Sequence, residues 1–116
     1  MVKVSIMVKR KPGMRPAEFH RYWKDVHGPL ALGVPEFMRH FRKYVQCHPI
    51  ADAFADMPGA LSPYDGIAEL WADNLDEVRR AFAEPRYLEV IRPDEEQFAD
   101  LANCVVMVTE EVPMKG

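Results

Sequence analysis

Apolar residues in this chain switch between strand spacing and helix spacing in an order that few folds can satisfy. Val4, Ile6 and Val8 alternate with Lys3, Ser5, Met7 and Lys9, so residues 2–9 read as a strand with one apolar face. Lys11-Pro12-Gly13 is turn chemistry and ends it. Pro16 suits a first helical position, and Phe19, Tyr22, Trp23 and Val26 then form one helical stripe. Gly28-Pro29 predicts a break in that helix, with a short helical piece from Pro29 to Leu32.

Strand spacing returns over Phe41–His48, with Tyr44, Gln46 and His48 on one face and Lys43, Val45 and Cys47 on the other. Pro49 to Pro63 is too long for a tight turn, and long loops of compact domains often serve function. A third strand, Gly66–Asp73, carries Ala68, Leu70 and Ala72 on one side and Ile67, Glu69 and Trp71 on the other. Asn74 followed by Glu77 resembles a capping box, opening a helix with Leu75, Val78 and Phe82 that stops at Pro85. Further helical turns over Arg86–Leu101 are interrupted at Pro93, and Cys104–Val112 is a fourth strand.

That order is strand–helix–strand–strand–helix–strand. It predicts an α+β, ferredoxin-like βαββαβ domain with a four-stranded antiparallel sheet. The 116 residues fit this one domain, which spans 1–116. Helices cover only one face of such a sheet. The other face carries Val, Ile and Met, so packing against a second copy is expected.

Composition excludes several classes of function. The net charge is −3 with no basic cluster, which argues against a nucleic-acid partner. No run approaches the roughly 18 apolar residues of a membrane span. The N-terminal alternation lacks a signal-peptide core, so a cytoplasmic location is expected. Cys47 and Cys104 stand far apart and make neither a disulfide framework nor a zinc pattern.

The chemistry-bearing residues are few. His27 precedes Gly28-Pro29 and lies at the edge of the apolar stripe, which suits either a cap on the last carbonyls or an acid/base group beside a pocket. Tyr44, Gln46 and His48 project from one strand face. They are a solvated edge if nothing covers them, and a hydrogen-bonding cavity wall if something does. Glu69 sits between Ile67 and Trp71, where it either titrates high or pairs with a cation. Trp23, Tyr64 and Trp71 are available as aromatic walls. His20, Lys24 and His27 together read as a solvated helix edge, with no carboxylate to complete a metal set.

Lys9 to Leu32 resembles the opening of the EthD-domain family of the dimeric α/β-barrel superfamily. The resemblance rests on the Lys11-Pro12-Gly13-Met14 turn, the Phe19-His20-Arg21-Tyr22-Trp23 helix and the His27-Gly28-Pro29-Leu30-Ala31 segment. Lys43-Tyr44-Val45-Gln46, Gly66 to Trp71 and Val108 to Val112 extend it over nearly the whole chain. It implies a homodimer whose sheets face each other as a barrel, with a pocket in each protomer. Relatives include proteins encoded beside ether-degradation oxygenases, fungal polyketide-tailoring decarboxylases or dehydratases, and a bacterial methylmuconolactone isomerase. They work without a metal or organic cofactor.

The resemblance therefore implies cofactor-independent acid/base chemistry, of lyase, isomerase, dehydratase or cyclase type, on a small cyclic organic metabolite. His27 and Tyr44 match pocket residues of the isomerase-like relatives, with His48 assisting and Trp23, Gln46, Tyr64, Glu69 and Trp71 contacting substrate. Leu70 stands where that isomerase has a cysteine, which speaks against the same isomerisation. Arg15 stands where a Ser or Thr cap is usual, so the first helix should lack its N-cap bond. The other reading is a non-catalytic ligand-binding accessory dimer. A haem-linked monooxygenase would need a histidine on the helix over Asn74–Glu84, and there is none.

Overall fold

A computed structural model of the chain describes residues 1–50 and 62–116. The strands are β1 (Val2–Val8), β2 (Lys43–Cys47), β3 (Gly66–Ala72) and β4 (Val105–Glu110), antiparallel in the order β2–β3–β1–β4. This is the ferredoxin-like sheet that the periodicity predicts. Most of the Pro49–Pro63 segment, including Ala51 to Met57, lies outside the described residues. Among those described, no helix is long and apolar enough to cross a membrane.

Val4, Ile6 and Val8 pair laterally with Leu70, Ala68 and Gly66, placing all of them on the face that meets the helices. There Phe19, Trp23, Phe98, Val8 and Ala68 form one apolar cluster. Phe37, Tyr87, Ile91, Val4 and Leu70 form the other. The opposite face presents Lys3, Ser5 and Met7 beside Trp71, Glu69 and Ile67 on one flank and Thr109, Met107 and Val105 on the other.

The first helix departs from expectation. It does not break at Gly28-Pro29. Helix α1 (Pro16–Tyr22) passes through a π-helical turn, Trp23–His27, directly into α2 (Gly28–Leu32). Gly28 N–H donates to Trp23 O, five residues back, instead of the usual four. Proline lacks an N–H and its ring crowds the carbonyl four residues earlier; a widened turn removes the need for that bond. The inserted residue also shifts the phase of the stripe. Val26, assigned to the core by helical spacing, is 44% exposed. His27 takes its place at 6%.

A short helix α3 (Pro35–Met38), which the sequence pattern does not reveal, seats Phe37 in the core. Helix α4 (Leu75–Ala83) begins as expected, with Asn74 Oδ1 accepting from Glu77 N–H at 2.9 Å. The Glu77 carboxylate turns instead to His40 Nδ1, at 2.7 Å. The second long helix repeats the device of the first. A π-helical turn, Tyr87–Ile91, runs into α5 (Arg92–Phe98), and Arg92 N–H donates to Tyr87 O just before Pro93. The interruption predicted at Pro93 is thus also absorbed. As expected, Arg15 provides no cap bond; its side chain pairs with Glu18.

Candidate active site

Between helices and sheet lies a cavity of about 280 Å³. Its walls are mostly apolar, from Trp23, Phe37, Leu70, Ile91 and Phe98. His27, Tyr44, Tyr87, Arg92 and Glu95 bring polar groups to it. An apolar pocket with a few convergent polar groups is the usual form of a small-molecule site.

His27 is oriented by Asp94, which Tyr22 holds in turn. Its Nδ1 lies 2.8 Å from Asp94 Oδ2, and the Tyr22 hydroxyl donates to Asp94 Oδ1 at 2.5 Å. A carboxylate can only accept, so Nδ1 carries the ring proton. Nε2 then holds a free lone pair, and no described residue hydrogen-bonds it. Burial holds the His27 pKa below its ordinary value and outweighs the opposing pull of Asp94, keeping the ring neutral. Burial and the Asp94 carboxylate push Tyr22 up to about 12, so it remains a donor. The histidine is neither a helix cap nor part of a solvated edge.

Tyr44 reaches the cavity at the end of a hydrogen-bonded chain. Gln46 Nε2 lies 2.9 Å from both Tyr44 Oη and Trp23 O. Gln46 Oε1 is 2.9 Å from His48 Nε2, and His48 Nδ1 is 2.8 Å from His20 Nδ1. Because the amide donates to Tyr44 Oη, the phenol proton is free to donate elsewhere. Burial raises the Tyr44 pKa and keeps the phenol protonated. The chain needs close packing: a Cβ on Gly28 would stand 3.0 Å from Gln46 Nε2.

Asp94 and three further groups were not legible in the sequence. The Tyr87 hydroxyl donates to Glu95 Oε1 at 2.7 Å, and Arg92 Nη1 lies 3.5 Å beyond that hydroxyl. Desolvation, reinforced by Asp94 and Glu96, pushes the Glu95 carboxyl up to about 7. Asp94 and Glu95 look like ordinary acidic residues of a helix first turn. The one available signal is the repeat of an X-Pro pair inside a helical run, at 28–29 and 92–93.

Of the expected site residues, Trp23, His27 and Tyr44 meet at the cavity. Gln46 stands behind Tyr44. His48 does not line the cavity; its ring lies tilted against Trp23 with centroids 4.5 Å apart, beside a second recess that Tyr64 also lines. Glu69 and Trp71 must be reassigned, since the sheet separates them from the cavity. Glu69 pairs with Lys3 at 2.7 Å and accepts from Cys47 Sγ at 3.1 Å. The Lys3 ammonium holds its carboxyl below the ordinary value. Trp71 lies under the Lys3 and Lys43 ammonium groups. Strand alternation sends residues 67, 69 and 71 opposite to 68 and 70, and the buried side is the even one. Among the described residues no three His, Cys, Asp or Glu side chains converge as metal ligands.

Residues 11–102 match the family model of the EthD domain. The chain is 30% identical over 112 residues to the conidial pigment biosynthesis dehydratase EthD of Metarhizium robertsii, covering 90% of this chain and 78% of that one. It is 25% identical over 111 residues to the dehydratase ustZ of Ustilaginoidea virens, covering 90% and 79%. An EthD-like protein from Ralstonia eutropha superposes with a TM-score of 0.70 at 20% identity, over 98% of this chain and 94% of the other. A dimeric protein of ferredoxin-like fold from Bacteroides fragilis superposes with a TM-score of 0.66 at 14% identity, over 95% of each chain.

Proposed function

The chain belongs to the EthD domain family, and on that premise we propose that it is a dehydratase-type enzyme acting on a small cyclic β-hydroxy carbonyl compound. The observation that carries this reading is the Asp94–His27 pair, with the unprotonated Nε2 of a ring that lines an apolar cavity. A neutral imidazole oriented by a carboxylate is a general base. The carbon next to a carbonyl is acidic enough for such a base when the developing oxyanion has a donor. Tyr44 supplies that donor, its hydroxyl released by the Gln46 amide. Two relatives bear dehydratase names, and abstraction of the proton next to a carbonyl is one route to loss of a β-hydroxyl as water. The step calls for neither a metal nor an organic cofactor. A cavity near 280 Å³ suits a molecule of one or two rings.

The test is His27→Ala, assayed with β-hydroxycyclohexanone and monitored by circular dichroism. Turnover should fall by about a hundredfold or more with the fold retained. Wild-type turnover in the variant would remove His27 from the chemistry. Saturable binding by the wild type with no product would favour a ligand-binding accessory role.

The functional unit is proposed to be a homodimer. On the open sheet face, Cys47, Ile67, Met7 and Val105 form a lateral row across all four strands. Val105 and Met107 are exposed in the single chain. Such an apolar face is expected to be covered, and a second copy of the same face would cover it.

A further inference from the structure

We propose that Glu95 is the proton donor to the departing hydroxyl, so that base and acid act from two separate groups of one cavity. This rests on the reading of His27 as the base. The geometry of Glu95 mirrors that of His27 with the opposite proton occupancy. Asp94 holds the His27 proton on Nδ1 and leaves Nε2 empty. Tyr87 donates to Glu95 Oε1, so the acid proton of Glu95 belongs on Oε2, which has no hydrogen-bond partner among the described residues. Both side chains line the same cavity.

The groups around Glu95 explain why it holds a proton. Tyr87 and Arg92 favour the carboxylate, whereas burial and the neighbouring Asp94 and Glu96 oppose it. The balance leaves it an acid up to about neutrality. A site with one neutral base and one neutral acid is suited to moving two protons in one turnover.

His27 Nε2 takes the proton from the carbon next to the carbonyl. That C–H pair becomes the new C=C bond through the enolate, whose oxygen Tyr44 supports. The C–O bond at the β-carbon breaks with its pair on oxygen, and the Glu95 Oε2 proton joins that oxygen, releasing water. His27 is left as imidazolium beside Asp94, and Glu95 as carboxylate. Proton return through water restores both groups. A β-hydroxy carbonyl compound offers both sites this pair needs: an acidic C–H next to the carbonyl for the base and a β-hydroxyl for the acid.

Two probes separate Glu95 from His27. Cyclohexanone in heavy water reports abstraction alone, by deuterium exchange at the carbon next to the carbonyl. β-Hydroxycyclohexanone reports loss of water. Glu95→Gln should keep exchange within about threefold and lose elimination by about a hundredfold or more. His27→Ala should lose both. Elimination at the wild-type rate in Glu95→Gln, with exchange intact, would overturn the role of Glu95 and leave His27 standing. Absence of both activities in the wild type would overturn the base and the acid together. An infrared titration gives a check independent of turnover. A protonated carboxyl band present near pH 6, and missing in Glu95→Gln, is expected; its absence from the wild type would end the proposal.

Discussion

Asp94 Oδ2 lies 2.8 Å from Nδ1 of His27, although the two residues stand 67 positions apart in sequence. The pair forms where α5 begins and where the π-helical turn of the first helix ends. Each residue flanks an X-Pro pair embedded in a helix, Gly28-Pro29 and Arg92-Pro93. Two locally widened helices thus meet at the histidine. The bond decides which ring nitrogen is free, and that choice underlies every proposed step.

Asp94→Asn keeps the shape but changes the donor. An asparagine amide can donate to Nδ1, which moves the ring proton to Nε2 and closes the lone pair. Turnover of β-hydroxycyclohexanone should fall by about a hundredfold or more. Nitrogen NMR of the ring should show the tautomer exchanged. An unchanged rate would mean that Asp94 does not set the tautomer.

Glu95 should make the protein less stable as pH rises. Its folded-state pKa, about 7, stands above the ordinary 4.5, so the folded state holds more protons in between. Stability from this group is therefore present below the unfolded pKa and lost as pH climbs through about 7. The shift corresponds to about 3 kcal/mol as an upper figure. His27 acts in the opposite sense, since its lowered pKa adds stability as pH rises through its unfolded value. Comparing Glu95→Gln with the wild type isolates the carboxyl. The variant should gain in relative melting temperature between pH 5 and pH 8, and parallel curves would contradict the buried acid.

Gly66→Ala should destabilise the fold from the far side of the cavity wall. A Cβ there would stand 2.5 Å from Cζ3 and 2.8 Å from Cη2 of Trp23, and 3.0 Å from Cys47 O. Trp23 is 2% exposed and packs against Phe19 and Phe98, so the indole must shift within the core to admit the methyl group. A loss of about 1–3 kcal/mol is expected in urea unfolding. A variant as stable as the wild type would show that the indole can be repacked.

Met7→Glu tests the proposed dimer. Met7 sits in the open-face row between Ile67 and Val105, so a carboxylate there would be buried without a partner if a second sheet covers it. Light scattering should show a dimer for the wild type and a monomer for the variant, with unchanged helical signal. A monomeric wild type at micromolar concentration would contradict the assembly.

Much of the fold was legible because strand and helix periods are local properties. Val4, Ile6 and Val8 alternate, and β1 forms there; Asn74 precedes Glu77, and it caps α4. His27 and Tyr44 were legible only as candidates. Glu69 and Trp71 share a strand with cavity residues and face the other way, since alternation gives two faces without saying which one the helices cover.

By itself the sequence determined the order of elements, the apolar faces and the residue types available for proton transfer. Each depends on spacing along the chain. The tertiary structure decided that His27 and not Val26 enters the core, because a proline inside a helix can be met by a widened turn as well as by a break. It also decided that Asp94 orients His27 and that Tyr87 engages Glu95. Those contacts arise from how two helices dock on one sheet. Docking sets distances that neither helix encodes alone.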